Sequence, residues 1–177
     1  MIPAPPPSLL LVIDFQSRLM PSIAEGAEAV AHARRLLDIA ALLDVPVVYT
    51  EENPAGLGRT VADLAPAPSA RVLSKMYFDA WREPDVRAAI PDGMEIVVVG
   101  CEAHVCVLQT VLGLRSSGRS VKVVRDAIGS RRIESRDAAI ARMDRHGAEI
   151  VTAEMVAFEW LVTAEHPRFK DVIALVK

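Results

Sequence analysis

The sequence predicts one doubly wound α/β domain: a mostly parallel six-stranded sheet with helices on both faces, a Rossmann-like three-layer arrangement. Three observations predict it. A short branched-aliphatic run followed by a helical stretch recurs about six times, the pattern of a strand, a right-handed crossover helix and the next parallel strand. The apolar runs are continuous rather than alternating, as expected of strands covered on both faces. The chain of 177 residues is long enough for one core of ordinary size, and it shows no internal repeat.

Met1 to Ser8 holds four prolines and no charged side chain, so it reads as a loose leader, with the domain proper over residues 9–177. Leu9 to Ile13 is the first strand, closed by Asp14. Glu25 to Leu43 carries Val30, Ala33, Leu36, Leu37, Ala40 and Leu43 at helical spacing, with Arg34, Arg35 and Asp38 between; Pro46 prevents its continuation. Val47 to Tyr49 is the second strand, and Glu51 to Ser69, rich in Pro and Gly, is a loop able to wall a pocket. Arg71 to Leu73 is the third strand and delivers Lys75, with Tyr77, Phe78 and Trp81 behind it. Glu83-Pro84 opens a short helix to about Ile90, because proline suits a first helical turn, and Pro91-Asp92-Gly93 closes it.

Ile96 to Val99 is the fourth strand, and the helix from about Val105 ends at the Ser117-Gly118 cap signal. Val121 to Val124 is the fifth strand, Glu134 to His146 a polar-faced helix stopped by Gly147, and Glu149 to Val151 the sixth strand. Thr152 caps a helix through Met155, Phe158 and Leu161, and a last helix after Pro167 carries Phe169, Ile173 and Val176 at helical spacing.

Open sheets of this kind bind ligands beyond the C-terminal strand ends, where the strand order reverses. The first and fourth strands flank that point, which brings Asp14 towards the turn from Gly100 to Cys106. Cys106 stands about where the helix begins; the unpaired N–H groups and positive dipole end there favour a thiolate, making Cys106 a candidate nucleophile largely ionised near neutral pH. Each residue has a plainer reading beside this one. Cys106 can fill a buried niche, Asp14 can cap a turn, Lys75 can be a solvated lysine, and Phe15, Phe78 and Trp81 can be core rather than a stacking surface for a planar substrate. His104 invites a Cys–His dyad, although residues two apart on a helix or turn do not face each other.

Several classes fall away. The formal charge of -3 and the absence of a basic run leave no footprint for nucleic acid or an anionic membrane. No apolar stretch reaches the roughly 18 residues of a membrane span, and no positive n-region precedes Leu9 to Ile13, so the expected address is cytoplasmic. Cys101 and Cys106 are too few for a disulfide framework and lack histidines at zinc spacing. No GxGxxG follows the first strand, where Phe15-Gln16 stands instead, so a nucleotide-binding Rossmann protein has no support.

LLVIDFQ, then SK before an aromatic cluster, then VVVGCEAHVCVLQT resemble the isochorismatase-like cysteine hydrolases, in that family's order of Asp, Lys and Cys. TEENPAGLGRTVADL, VVRDAIGSR and EHPRFKDVIALVK extend the resemblance to the isochorismatase domain-containing branch, so that it covers Leu9 to Lys177. The resemblance implies Cys106 as nucleophile, Asp14 as catalytic acid and Lys75 as catalytic lysine, with oxyanion donors in the backbone N–H groups of Glu102 and Cys106 and a cis peptide between Cys101 and Glu102. It implies hydrolysis of a small-molecule amide through a thioester, without a cofactor, by a homo-oligomer whose apolar late-helix residues Phe158, Trp160 and Leu161 suit self-association. A non-catalytic scaffold of the same fold is the alternative, since fold alone does not secure activity. Two departures matter. Glu51 to Ser69 has no histidine, so the metal cluster of nicotinamidase relatives is not expected, and Ala103-His104 replaces a common Thr-Asp, changing the polar wall behind the nucleophile.

Overall fold

The computed structural model describes residues 6–177. Its strands are β1 (Ser8–Ile13), β2 (Val47–Glu52), β3 (Arg71–Lys75), β4 (Glu95–Cys101), β5 (Val121–Gly129) and β6 (Glu149–Val151), paired in parallel in the order β3-β2-β1-β4-β5-β6. The helices are α1 (Gly26–Leu42), α2 (Pro54–Leu57), α3 (Pro84–Ala89), α4 (Leu108–Ser116), α5 (Ile133–Arg145), α6 (Ala153–Leu161) and α7 (Phe169–Val176). The chain runs outward from β1 through β2 to β3, then returns to place β4 on the other side of β1. The order therefore reverses between β1 and β4, as the sequence predicts.

Successive side chains of a strand point to opposite faces, and β1 uses both. Leu9, Leu11 and Ile13 pack in one core layer with Val86 of α3, Val111 and Leu114 of α4 and Met143 of α5. Leu10 and Val12 pack in the other with Ala33 and Leu36 of α1 and Val156 of α6. Burial on both faces is why this strand reads as an unbroken apolar run. Helix α7 closes over α1 and α6 through Val172, Ile39, Ala157 and Leu161. The expected cap at Thr152 is present, its side chain accepting a bond from Met155 N–H.

Residues 1–5 of the leader expected over 1–8 lie outside the described residues. Ser8 already belongs to β1, and the Pro7 carbonyl accepts a 2.9 Å bond from Glu95 N–H, so the strand begins earlier than its apolar run. At the other end β2, β3, β4 and β5 all run past their predicted limits, to Glu52, Lys75, Cys101 and Gly129. The cause is the ladder rather than hydrophobicity. Glu51 stands opposite Ser74 and Glu52 opposite Lys75, so polar residues continue the pairing into the crevice. Among the described residues no helix is long and apolar enough to cross a membrane.

Candidate active site

The strands deliver four side chains to one edge: Asp14 after β1, Glu52 at the end of β2, Lys75 at the end of β3 and Cys106 shortly after β4. Asp14 takes a positive φ of 51°, and its N–H donates to the Thr50 carbonyl at 3.1 Å while Thr50 Oγ1 donates to its Oδ1 at 2.7 Å. Gln16 fixes the tail of β2, with Nε2 donating to the Glu52 and Gly58 carbonyls and Oε1 accepting from Glu52 N–H. Lys75 Nζ lies 2.7 Å from Asp14 Oδ2 and 2.5 Å from Glu52 Oε2, and donates to the Tyr77 carbonyl at 3.2 Å. The contact with Oδ2 is an ion pair; that oxygen has no aligned hydrogen bond. Cys106 Sγ and one oxygen each of Asp14 and Glu52 lie within 4.8 Å of one another.

The path from β4 to Cys106 depends on close backbone contact. Gly100 has φ 146°, and a Cβ there would collide with the Ile13 carbonyl, so β1 and β4 approach this closely only with glycine. The peptide between Cys101 and Glu102 is cis, as the resemblance implies. A wide π-helical turn, Ala103–Val107, follows, its Val107 N–H reaching back five residues to the Glu102 carbonyl at 3.2 Å. This turn runs directly into the α-helix at Leu108, so Cys106 lies in the opening, π-helical turn of one continuous helical segment. The Glu102 carboxylate accepts from Arg131 N–H and Nε at 3.1 and 3.0 Å.

This placement reverses the expected ionisation of Cys106. Burial, followed by the negative charge of Asp14, pushes its thiol up to about 12, and the opposing pull of the Lys75 ammonium is too small to prevent it. Cys106 therefore rests as a thiol at neutral pH. Burial alone would lower the pKa of Lys75, but the negative charge of Asp14 beside it and the bond to Glu52 hold it above the ordinary lysine value. Cys101 is wholly buried, and burial drives its thiol further up. Alkylation of Cys106 by iodoacetamide should consequently rise roughly tenfold per pH unit between about pH 7 and 10, because the thiolate is the nucleophile and its fraction grows that way below the pKa. A plateau near the free-cysteine value of about 8.5 would contradict this placement, and Cys101 should label far more slowly throughout.

Of the expected pocket residues, two do not face the chemistry. Phe15 is 1 % exposed in the layer beneath α1, packed with Leu36 and Tyr49, so it is core. Trp81 stacks on the Arg119 guanidinium, 5.4 Å from its ring centre, and Arg119 also bonds Asp92 and the Pro91 carbonyl at the opposite, N-terminal edge of the strands. Phe78 is exposed on the segment that follows Lys75, whose backbone is held by Thr110 Oγ1 donating to the Phe78 carbonyl. His104 Nδ1 is joined to Ser130 Oγ at 2.9 Å and stands 4.0 Å from the Glu102 carboxylate, so its ring is engaged away from a Cys–His dyad.

Sequence reading missed Glu52, Thr50 and Gln16. Gln16 lies in the DFQ motif and Glu52 follows strand two, but their roles depend on register, which a single sequence does not display. Asp14, Glu52 and Cys106 have donor atoms close enough for a metal ion. The Lys75 ammonium already lies against both carboxylates, so the cation of this arrangement is the protein's own.

Residues 8–155 match the Isochorismatase domain. The chain belongs to the isochorismatase family. It is 37% identical to isochorismatase domain-containing protein 2A of Mus musculus, in an alignment covering 98% of this chain and 84% of that protein. Among solved structures, the MAR1 ribonuclease of Caenorhabditis elegans superposes with a TM-score of 0.91 at 35% identity, covering 96% of this chain and 88% of that one. YcaC of Escherichia coli, described as an octameric hydrolase of unknown specificity, does so with a TM-score of 0.85 at 26% identity, covering 96% and 84%. The fold expected from the sequence is thus that of the isochorismatase-like hydrolases.

Proposed function

We propose that this isochorismatase-family chain hydrolyses the carbon–nitrogen bond of a small amide through a Cys106 thioester. The observation that carries the reading is the convergence of a buried thiol, the Asp14 carboxylate and the Lys75 ammonium at the switch point, with Asp14 and Lys75 2.7 Å apart. Because Cys106 rests as a thiol, its proton must leave as Sγ attacks the carbonyl carbon, and Asp14 is the base beside it. Lys75 opposes the charges of Asp14 and of the sulfur as it ionises. The carbonyl oxygen becomes an anion received by the N–H groups of Glu102 and Cys106, the donors implied by the family resemblance. Asp14 passes its proton to the nitrogen, the C–N bond breaks and the amine or ammonia departs. Water, deprotonated by Asp14, then cleaves the thioester, releasing a carboxylic acid and restoring the thiol.

No cofactor enters this sequence. Phe78 and His104 remain the expected wall residues with surface open to a substrate. Two free thiols, one of them needed for the chemistry, suit a reducing compartment such as the cytoplasm. The likeness to octameric YcaC supports self-association; Met155 and Phe158 of α6 are exposed for it, whereas Leu161, expected to share that role, is core. The activity named for the nematode protein draws little support here, since a net charge of -3 without a basic run offers RNA no electrostatic footprint.

The test is a panel of small amides with ammonia or amine release as the readout. Wild-type protein should turn over at least one of them. Failure with every amide would overturn the reading in favour of a non-catalytic scaffold.

A further inference from the structure

Lys75 is flanked by two carboxylates, and the family-derived triad uses only one of them. Asp14 at 2.7 Å already balances the ammonium, so Glu52 at 2.5 Å leaves the group with one negative charge in excess while Cys106 is a thiol. A second, largely buried carboxylate is costly to desolvate, and a neutral amide side chain could have accepted the same bond from Lys75. Only Oε2 of Glu52 is engaged. Among the described residues Oε1 has no hydrogen-bond partner, the side chain keeps 11% of its surface open, and one of its oxygens is within 4.8 Å of Cys106 Sγ. A Glu52 carboxylate in that range lies within hydrogen-bond reach of a nitrogen carried by a carbon bonded to Cys106 Sγ.

We propose that Glu52 is a specificity-determining residue that accepts an N–H bond from the departing nitrogen and thereby selects amides bearing at least one N–H. The inference rests on the amide reading above. As the tetrahedral intermediate collapses, the proton held by Asp14 moves to nitrogen and the C–N electron pair leaves with it. The nitrogen carries developing positive charge during that transfer, and the excess negative charge of Glu52 faces it. Glu52 itself neither gains nor loses a proton. Its hydrogen bond is strongest as the nitrogen becomes cationic, so it lowers the barrier for amides and discriminates against leaving groups that have no N–H.

The experiment compares an amide with the methyl ester of the same acyl group, using wild-type protein and Glu52→Gln. Both substrates acylate Cys106, but only the amide offers an N–H. The ratio of kcat/KM for amide over ester should fall about tenfold or more in Glu52→Gln, with the loss chiefly in kcat. The backbone clamp by Gln16 does not use the Glu52 side chain, and thermal melting checks that the variant is folded. Glu52→Ala serves as a second variant, with the same direction expected. An unchanged ratio, including an equal fall on both substrates, would reduce Glu52 to a partner of Lys75 and overturn the inference alone. Wild-type protein that cleaves the ester and no amide would overturn the amide reading, and this inference with it.

Discussion

Lys75→Ala should melt well below the wild type and lose nearly all turnover. The side chains of Lys75 and Asp14 are completely buried and that of Glu52 nearly so, and removing the ammonium leaves two carboxylates beside a buried thiol with no cation between them. Breaking a buried ion pair from one side costs about 3 to 5 kcal/mol. For a domain of this size that corresponds to a melting temperature lower by roughly 6 to 20 °C. The sign with pH follows from Lys75, whose pKa is raised in the folded state. Its stabilisation is fully present below the unfolded lysine value of about 10.4 and is lost as pH rises through the folded value. The gap between variant and wild type should therefore hold across neutral pH and narrow only above about 10.4. Iodoacetamide should also label the variant's Cys106 more slowly, because Lys75 is the group that favours its thiolate. A variant as stable and as reactive as the wild type would mean that Lys75 is neither a counter-ion nor an electrostatic support.

Cys106→Ala should reduce amide turnover by at least about a thousandfold, since no other thiol can take its place. Cys101 is five positions earlier, wholly buried and held protonated, and its surroundings include Gly129 and Ile23 of the layer beneath α1. Cys101→Ala should keep most of the activity. The two substitutions remove the same atom from neighbouring positions, so a difference between them cannot come from the loss of a thiol alone.

The architecture was legible because both faces of the central strands are covered and the apolar runs of β1 and β4 are therefore continuous. Pro46, Gly118 and Gly147 bounded the helices for the local reasons these residues always supply. The switch point and the residues that flank it also followed, since Asp14 and Gly100 mark the strand ends that the topology brings together. Glu52 was hidden because its partner is Lys75, 23 positions away, and only the β2–β3 register sets them side by side. Phe15 misled because it follows Asp14, whose left-handed backbone turns the chain so that the ring enters the core layer. The expected thiolate failed because burial, together with the charge of Asp14, outweighs the lysine. Pairwise attraction between Lys75 and Cys106 was foreseeable, but the sum over its neighbours was not.

Acid quenching during turnover of an amide from the panel, followed by intact-mass measurement and peptide mapping, locates the acyl group on its passage through Cys106 Sγ. The wild-type protein should gain the mass of one acyl group, carried on the Cys106 peptide and discharged by hydroxylamine, while Cys106→Ala protein gains none and releases no ammonia. An acyl group on Cys101, or ammonia released by Cys106→Ala protein at the wild-type rate, would contradict the thioester at Cys106 even with the isochorismatase fold intact.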